Sequence, residues 1–173
     1  DVPGPAEGRT VLRNLHDAEH LKAAMSPGAR LVILGAGFIG CEVALTAKAL
    51  GCECVLIGHC EERRDKAGVL AEAGIADAAA VNRLLNMEVR AAVNRGLRVL
   101  YCVGETMEEQ PRWHEVLREQ VAIGLNGADT AQVSVAYEPV WAIGPGKTPP
   151  GPEYITKIAR FLKEITGGLP VAY

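Results

Sequence analysis

Residues 97–139 read "LRVLYCVGETMEEQPRWHEVLREQVAIGLNGADTAQVSVAYEP", and this stretch decides the fold. Residues 97–104 form a short apolar run closed by Gly104, the pattern of a buried strand. Residues 112–127 read as a helix stopped by Gly127, and residues 131–139 as a second strand. A strand, a helix and a strand in that order imply a parallel βα unit with a right-handed crossover.

The same alternation continues outward. Downstream, residues 152–168 read as a helix, and 169–173 open a further strand. Upstream, residues 77–96 form a helix ending on Gly96, and 52–58 a strand. Residues 38–51 read as a helix closed by Gly51, and 30–35 as a strand bounded by Gly. A helix over 14–25 has Asn14 at its N-cap and Asp17 three residues later, and residues 1–10 are Pro- and Gly-rich. The expected fold is α/β: five parallel βα units in a curled, singly wound sheet of order 1-2-3-4-5, a half-barrel with Rossmann-like character. A doubly wound sheet with switched strand order is the alternative. Five strands cannot close an eight-stranded barrel, so two edges stay unpaired. Either the helix at 14–25 covers the opening or two chains pair their edges, and a homo-oligomer is the expectation.

The 173 residues, 49% hydrophobic and 23% charged with net charge −3, fit one ordinary globular domain. Lys and Arg are scattered among acids, which speaks against nucleic acid. The apolar runs are strand-length, so no membrane span is expected, and the start shows no secretion signal. Five cysteines without a CxxC pair suggest neither a disulfide framework nor a zinc knuckle, and fit reduced thiols in the cytoplasm. The four His are dispersed, so no metal cluster is expected.

"GAGFIG" places Gly35, Gly37 and Gly40 in GxGxxG spacing between a strand and a helix. Such a loop allows a tight turn, close approach of a pyrophosphate and close helix–strand packing. Residues 2–56, including Glu42, resemble the NADH-binding domain of FAD-dependent ferredoxin and rubredoxin reductases. The resemblance departs at Gly58, which stands where that family carries the acid that binds the adenosine ribose. NAD and FAD are therefore not expected to bind well, and the three glycines are read as vestigial folding material.

From Gly58 onward the sequence resembles triosephosphate isomerase. "GHCEERR" is similar to that family's GHSERR, "NMEVRAAVNRGLRVLYCVGETMEE" to its fifth-strand region, and "AYEPVWAIGPGKT" to its sixth strand and lid. The resemblance implies that His59 polarises the substrate carbonyl, Glu138 moves the proton and Glu61 is a supporting carboxylate. Cys102 and Glu105 match its CxGE loop. Pro139, Val140 and Trp141 match the front hinge of the lid, Gly144 its phosphate-gripping tip, and Lys147 and Thr148 its rear hinge. Glu138 and His59 both end predicted strands, the face at which barrel enzymes place catalytic groups.

Several positions depart from the pattern. Cys60 replaces the usual Ser, Pro145 the common lid Thr, and "HCEERR" holds one residue more before the paired Arg. These differences also suit a sister isomerase acting on a four-carbon ketose phosphate. The family's first strands, with a substrate-binding Asn and Lys, and its C-terminal Gly-rich phosphate loops have no counterpart in these residues. Residues 1–57 and 58–173 thus read as two fragments recombined in one domain, a chimera of engineered origin. Three function classes compete: a scaffold without efficient activity, a triose- or tetrose-phosphate isomerase, and a dinucleotide-binding module of an oxidoreductase. The first is favoured, with no cofactor or metal and a small phosphorylated sugar as the possible ligand.

Overall fold

A computed structural model describes residues 15–24, 54–144 and 146–173. Strand β1 spans Cys54–Ile57, β2 Arg98–Val103, β3 Val133–Tyr137 and β4 Val171–Ala172. All pairs are parallel and the order is β1-β2-β3-β4. The fold is therefore α/β with sequential strand pairing, the arrangement of a partial barrel. Among the described strands there is no switch of order, which removes the doubly wound alternative for this part of the chain. The strand expected at 30–35, the helix at 38–51 and the GAGFIG loop lie outside the described residues.

Helix α1 is Leu15–Ala24, within the span read from the sequence. Helix α2 (Cys60–Glu72) and α3 (Ala78–Asn94) connect β1 to β2. Helix α4 (Trp113–Gly124) connects β2 to β3, and α5 (Pro152–Ile165) connects β3 to β4. Asp77 caps α3 by accepting from the Ala79 N–H at 2.9 Å, and Pro152 opens α5, where a missing N–H costs nothing.

The two-residue period of the strands sorts their side chains onto two faces. Val55, Ile57, Val99, Tyr101, Val103, Val135 and Tyr137 pack against Leu85 and Val89 of α3, Leu117 of α4, and Ile158 and Leu162 of α5. Burying each aliphatic side chain stabilises by roughly 1.5–3 kcal/mol, so this face is the core. The opposite face presents a smaller cluster of Leu56, Cys102 and Ala136, joined by Leu100. Helices α3, α4 and α5 thus cover one face, and the carboxyl ends of β1, β2 and β3 meet at one rim.

Polar ties lock helices to that rim. Gln120 of α4, buried, accepts from Gly104 N–H at 2.9 Å and donates to Gly104 O at 2.9 Å. The Tyr101 hydroxyl donates to Gln120 O at 3.0 Å, and a Cβ on Gly124 would fall on that hydroxyl.

Candidate active site

The turn after β1 fixes the first functional side chain. Gly58 has φ +86°, and a Cβ there would lie 2.8 Å from Cys102 O, so only glycine fits without displacement. His59 follows as the N-cap of α2. Its Nδ1 accepts from the Glu61 N–H at 3.4 Å, which puts the proton of a neutral imidazole on Nε2. That nitrogen faces Glu138, with Nε2 3.7 Å from Oε1.

Glu138 follows β3, and its N–H donates to Val103 O at 2.8 Å. His59 and Glu138 do not follow neighbouring strands. They stand on strands that flank β2 and converge across its end. Gly104 permits this approach, because a Cβ on it would coincide with the Glu138 carbonyl oxygen.

The His59 and Glu138 side chains are 15% and 22% exposed, enough for a small ligand to touch both. Burial raises the Glu138 pKa, with the His59 charge, the Cys102 thiol, the Cys60 backbone N–H and Arg63 opposing it. Its Oε2 is buried and lacks a hydrogen-bond partner. A carboxyl group poised this way is a better proton acceptor than an ordinary surface glutamate. The Cys102 thiol is raised by burial and by the Glu138 charge, which keeps it protonated.

In "HCEERR" Glu62 turns inward, while Glu61 stays half-buried beside it. Glu62 Oε2 accepts from Gly58 N–H at 2.6 Å. Arg63 Nε donates to Gly58 O at 2.8 Å, and its Nη atoms donate to Asn82 Oδ1 at 2.7 Å, Cys102 O at 2.8 Å and the Tyr101 hydroxyl at 3.1 Å. The peptide before His59 is thereby held on both sides. Sequence reading missed Glu62 and Asn82, and only the repeated acid at 61–62 hinted at the former.

Behind Glu62, Lys66 Nζ lies 3.1 Å from its Oε1 and 2.8 Å from Glu88 Oε1. Burial pushes the Glu88 carboxyl up to about 8; the Glu62 charge adds to this while Lys66 opposes it. Lys66 thus stands between two carboxylates, buried Glu62 and half-buried Glu88, and Glu62 also holds the Gly58 N–H. Burial works against the Lys66 ammonium but is outweighed by Glu88 and Glu62, so its pKa is raised.

Glu105 is fully buried and anchors the turn at residues 139–142. Its Oε1 accepts from the Tyr137 hydroxyl at 2.9 Å, Trp141 Nε1 at 2.8 Å and the Tyr154 hydroxyl at 3.3 Å. Its carbonyl accepts from Val140 N–H at 3.0 Å, and Pro139 O from Ala142 N–H at 2.9 Å. Burial and the Glu105 charge raise both tyrosine pKa values. Gly144 is exposed with φ +118°, and its carbonyl accepts from Lys147 N–H at 3.3 Å. Lys147 and Thr148 are exposed, and Pro145 lies outside the described residues.

Gly35, Gly37 and Gly40 also lie outside them, so their phosphate loop has no geometry here. Among the described residues, His59, Cys60 and Glu138 each bring a metal-ligating atom within 4.8 Å of the others. Dispersal along the sequence had suggested no such cluster. No described helix is long and apolar enough to cross a membrane.

Comparison with known proteins places this geometry. The family model for triosephosphate isomerase matches residues 36–169. The match begins inside GAGFIG and takes in residues 36–57, which the sequence reading had placed with the reductases. A triosephosphate isomerase from Geobacter metallireducens is 40% identical over 125 residues, 69% of this chain and 44% of that protein. One from Pelodictyon phaeoclathratiforme is 36% identical over 135 residues, 76% and 49% respectively. One from Syntrophotalea carbinolica is 42% identical over 106 residues, 58% and 37%. The chain thus spans half or less of the length of these curated relatives.

Proposed function

The chain belongs to the triosephosphate isomerase family, and from that premise we propose that it carries the proton-transfer core of an aldose–ketose isomerase acting on a small phosphorylated sugar. The observation that supports this is the approach of His59 Nε2 to within 3.7 Å of Glu138 Oε1 at one rim of the sheet. That separation exceeds a hydrogen bond, so both groups stay available to contact a substrate at the rim. Glu138 takes a proton from the carbon beside the carbonyl. His59, as a neutral donor through Nε2, hydrogen-bonds the carbonyl oxygen as charge builds there, a division of labour for which this family is the standard case. Glu138 then returns the proton to the adjacent carbon. Glu61, Gly144 and the hinge residues Pro139, Val140, Trp141, Lys147 and Thr148 take supporting roles. A three-carbon substrate is the primary reading and a four-carbon one the alternative.

The polypeptide of residues 1–173, tested alone, works poorly in this proposal. Among the described residues the candidate phosphate donor is Gly144, and each preorganised donor of this kind contributes roughly 2.7–4 kcal/mol of barrier lowering. Solvent deuterium exchange into dihydroxyacetone phosphate tests the idea. The expected result is slow exchange, several decades below an ordinary isomerase, that falls to the buffer rate in Glu138→Gln. Exchange above buffer that is equal in the two proteins would remove Glu138 from the mechanism.

The chimeric reading extends this proposal. Residues 2–56, of which 36–56 fall within the isomerase family match, serve as folding material and do not hold NAD or FAD. The support is Gly58: the ribose-binding acid has no place there, since even a Cβ would meet Cys102 O. Losing such a polar partner costs ~1–3 kcal/mol, or one to two decades of affinity. A low-micromolar dissociation constant for NADH by fluorescence titration would contradict it.

A further inference from the structure

We propose that His59, Cys60 and Glu138 form a zinc site that closes the same rim to substrate. Three different ligand types, from two elements distant in sequence, converge there. Cys60 Sγ lies 3.8 Å from His59 Nδ1 and 4.0 Å from Nε2, and Nε2 lies 3.7 Å from Glu138 Oε1. A tetrahedral zinc with bonds of ~2.0–2.3 Å spaces its ligands at roughly 3.3–3.7 Å, and all three ligand atoms already lie within 4.8 Å of one another, so contraction of about an ångström or less completes the triad. The second Glu138 oxygen is buried and has no hydrogen-bond partner, so it is free to join the coordination.

The donor set is chemically selective. Imidazole, thiolate and carboxylate together favour zinc over magnesium or calcium, and three protein ligands leave a fourth position for water. Serine at position 60 would supply no comparable ligand, so the substitution seen in the sequence creates the site. Coordination replaces the Cys60 S–H bond with a zinc–sulfur bond and releases one proton to solvent. Binding through Nε2 moves the ring proton to Nδ1. The cost is the 3.4 Å contact with the Glu61 N–H, a long and weak bond. Bound zinc takes the lone pairs of both proton-handling groups, so it excludes a sugar phosphate. Zinc binding does not require isomerisation to occur, and its failure would leave the proposed isomerase chemistry standing.

Calorimetric titration of zinc into the reduced full chain is the test, with cobalt as a spectroscopic stand-in. One site per chain is expected, weakened at least tenfold in Cys60→Ser, Cys60→Ala and Glu138→Gln and unchanged in Cys54→Ser. Cobalt should give a near-ultraviolet thiolate charge-transfer band that both Cys60 variants lose. Circular dichroism identifies any variant that fails to fold, and the remaining ones decide. No binding by the parent chain, or parental affinity and an intact thiolate band in a folded Cys60 variant, would overturn the proposal.

Discussion

Glu88 shows how one residue can set the pH response of a site it never touches. Its carboxyl is raised from 4.5 to about 8, so between these values the folded chain holds a proton that the unfolded chain has released. Stability therefore falls as pH rises from about 5 through 8, because the native state must either give up that proton or hold a second buried carboxylate beside Glu62. Lys66 has the same sign, since its raised pKa is a stabilisation lost only at still higher pH. We expect Glu88→Gln to flatten the decline and to be more stable than the parent at pH 8. Urea denaturation at pH 6, 7 and 8 measures this, and a parent whose stability rises across that range would refute the assignment.

At the same scale, the sequence disclosed His59 and Glu138 because each ends a strand inside a long motif. It did not disclose which of Glu61 and Glu62 turns inward. That choice depends on the phase of α2 after its N-cap, where each residue turns the helix by about 100°. Nor did it reveal Cys60 beside Glu138, a contact that exists only once β1 and β3 are brought to either side of β2.

Among the elements, β1 to β4 and α3 to α5 were legible because each carries an apolar face or run bounded by Gly. Helix α2 was not. Glu62 is its one buried residue, and "CEERRDKAGVLAE" offers no apolar stripe for a periodicity argument to find. This helix is held by polar ties to the β1 turn and to α3 instead of by a hydrophobic face.

Helix α4 joins the sheet in both ways. Leu117 and Val121 enter the core, while Gln120 meets both polar groups of the Gly104 peptide. Gln120→Leu would keep the apolar contact but strand a buried N–H and a buried carbonyl. Each stranded group costs roughly 1–3 kcal/mol, so a loss of at least about 2 kcal/mol is expected in urea denaturation. A loss below about 0.5 kcal/mol would mean that water or a shifted side chain replaces the amide.

At the scale of the whole molecule, sequential parallel pairing assembles the site from three βα units, with His59 after β1, Glu105 after β2 and Glu138 after β3. The motifs named those residues, but their distances came from the register of three strands. Glu105 gathers the units most directly: it follows β2, and its partners come from β3, the front hinge and α5. One of those partners is an indole. Trp141 therefore acts as an optical gauge of the loop's position, since its emission depends on whether its N–H faces a carboxylate or water. Trp113, packed edge-on against Phe161 5.0 Å away, supplies a constant background. Glu105→Gln should red-shift the Trp141 emission and speed its quenching by acrylamide, with Trp113→Phe used to isolate the signal. An unchanged spectrum would mean that the hinge is held by its backbone alone. If the shift appears, the light that Trp141 emits becomes a direct record of whether its indole still faces the Glu105 carboxylate.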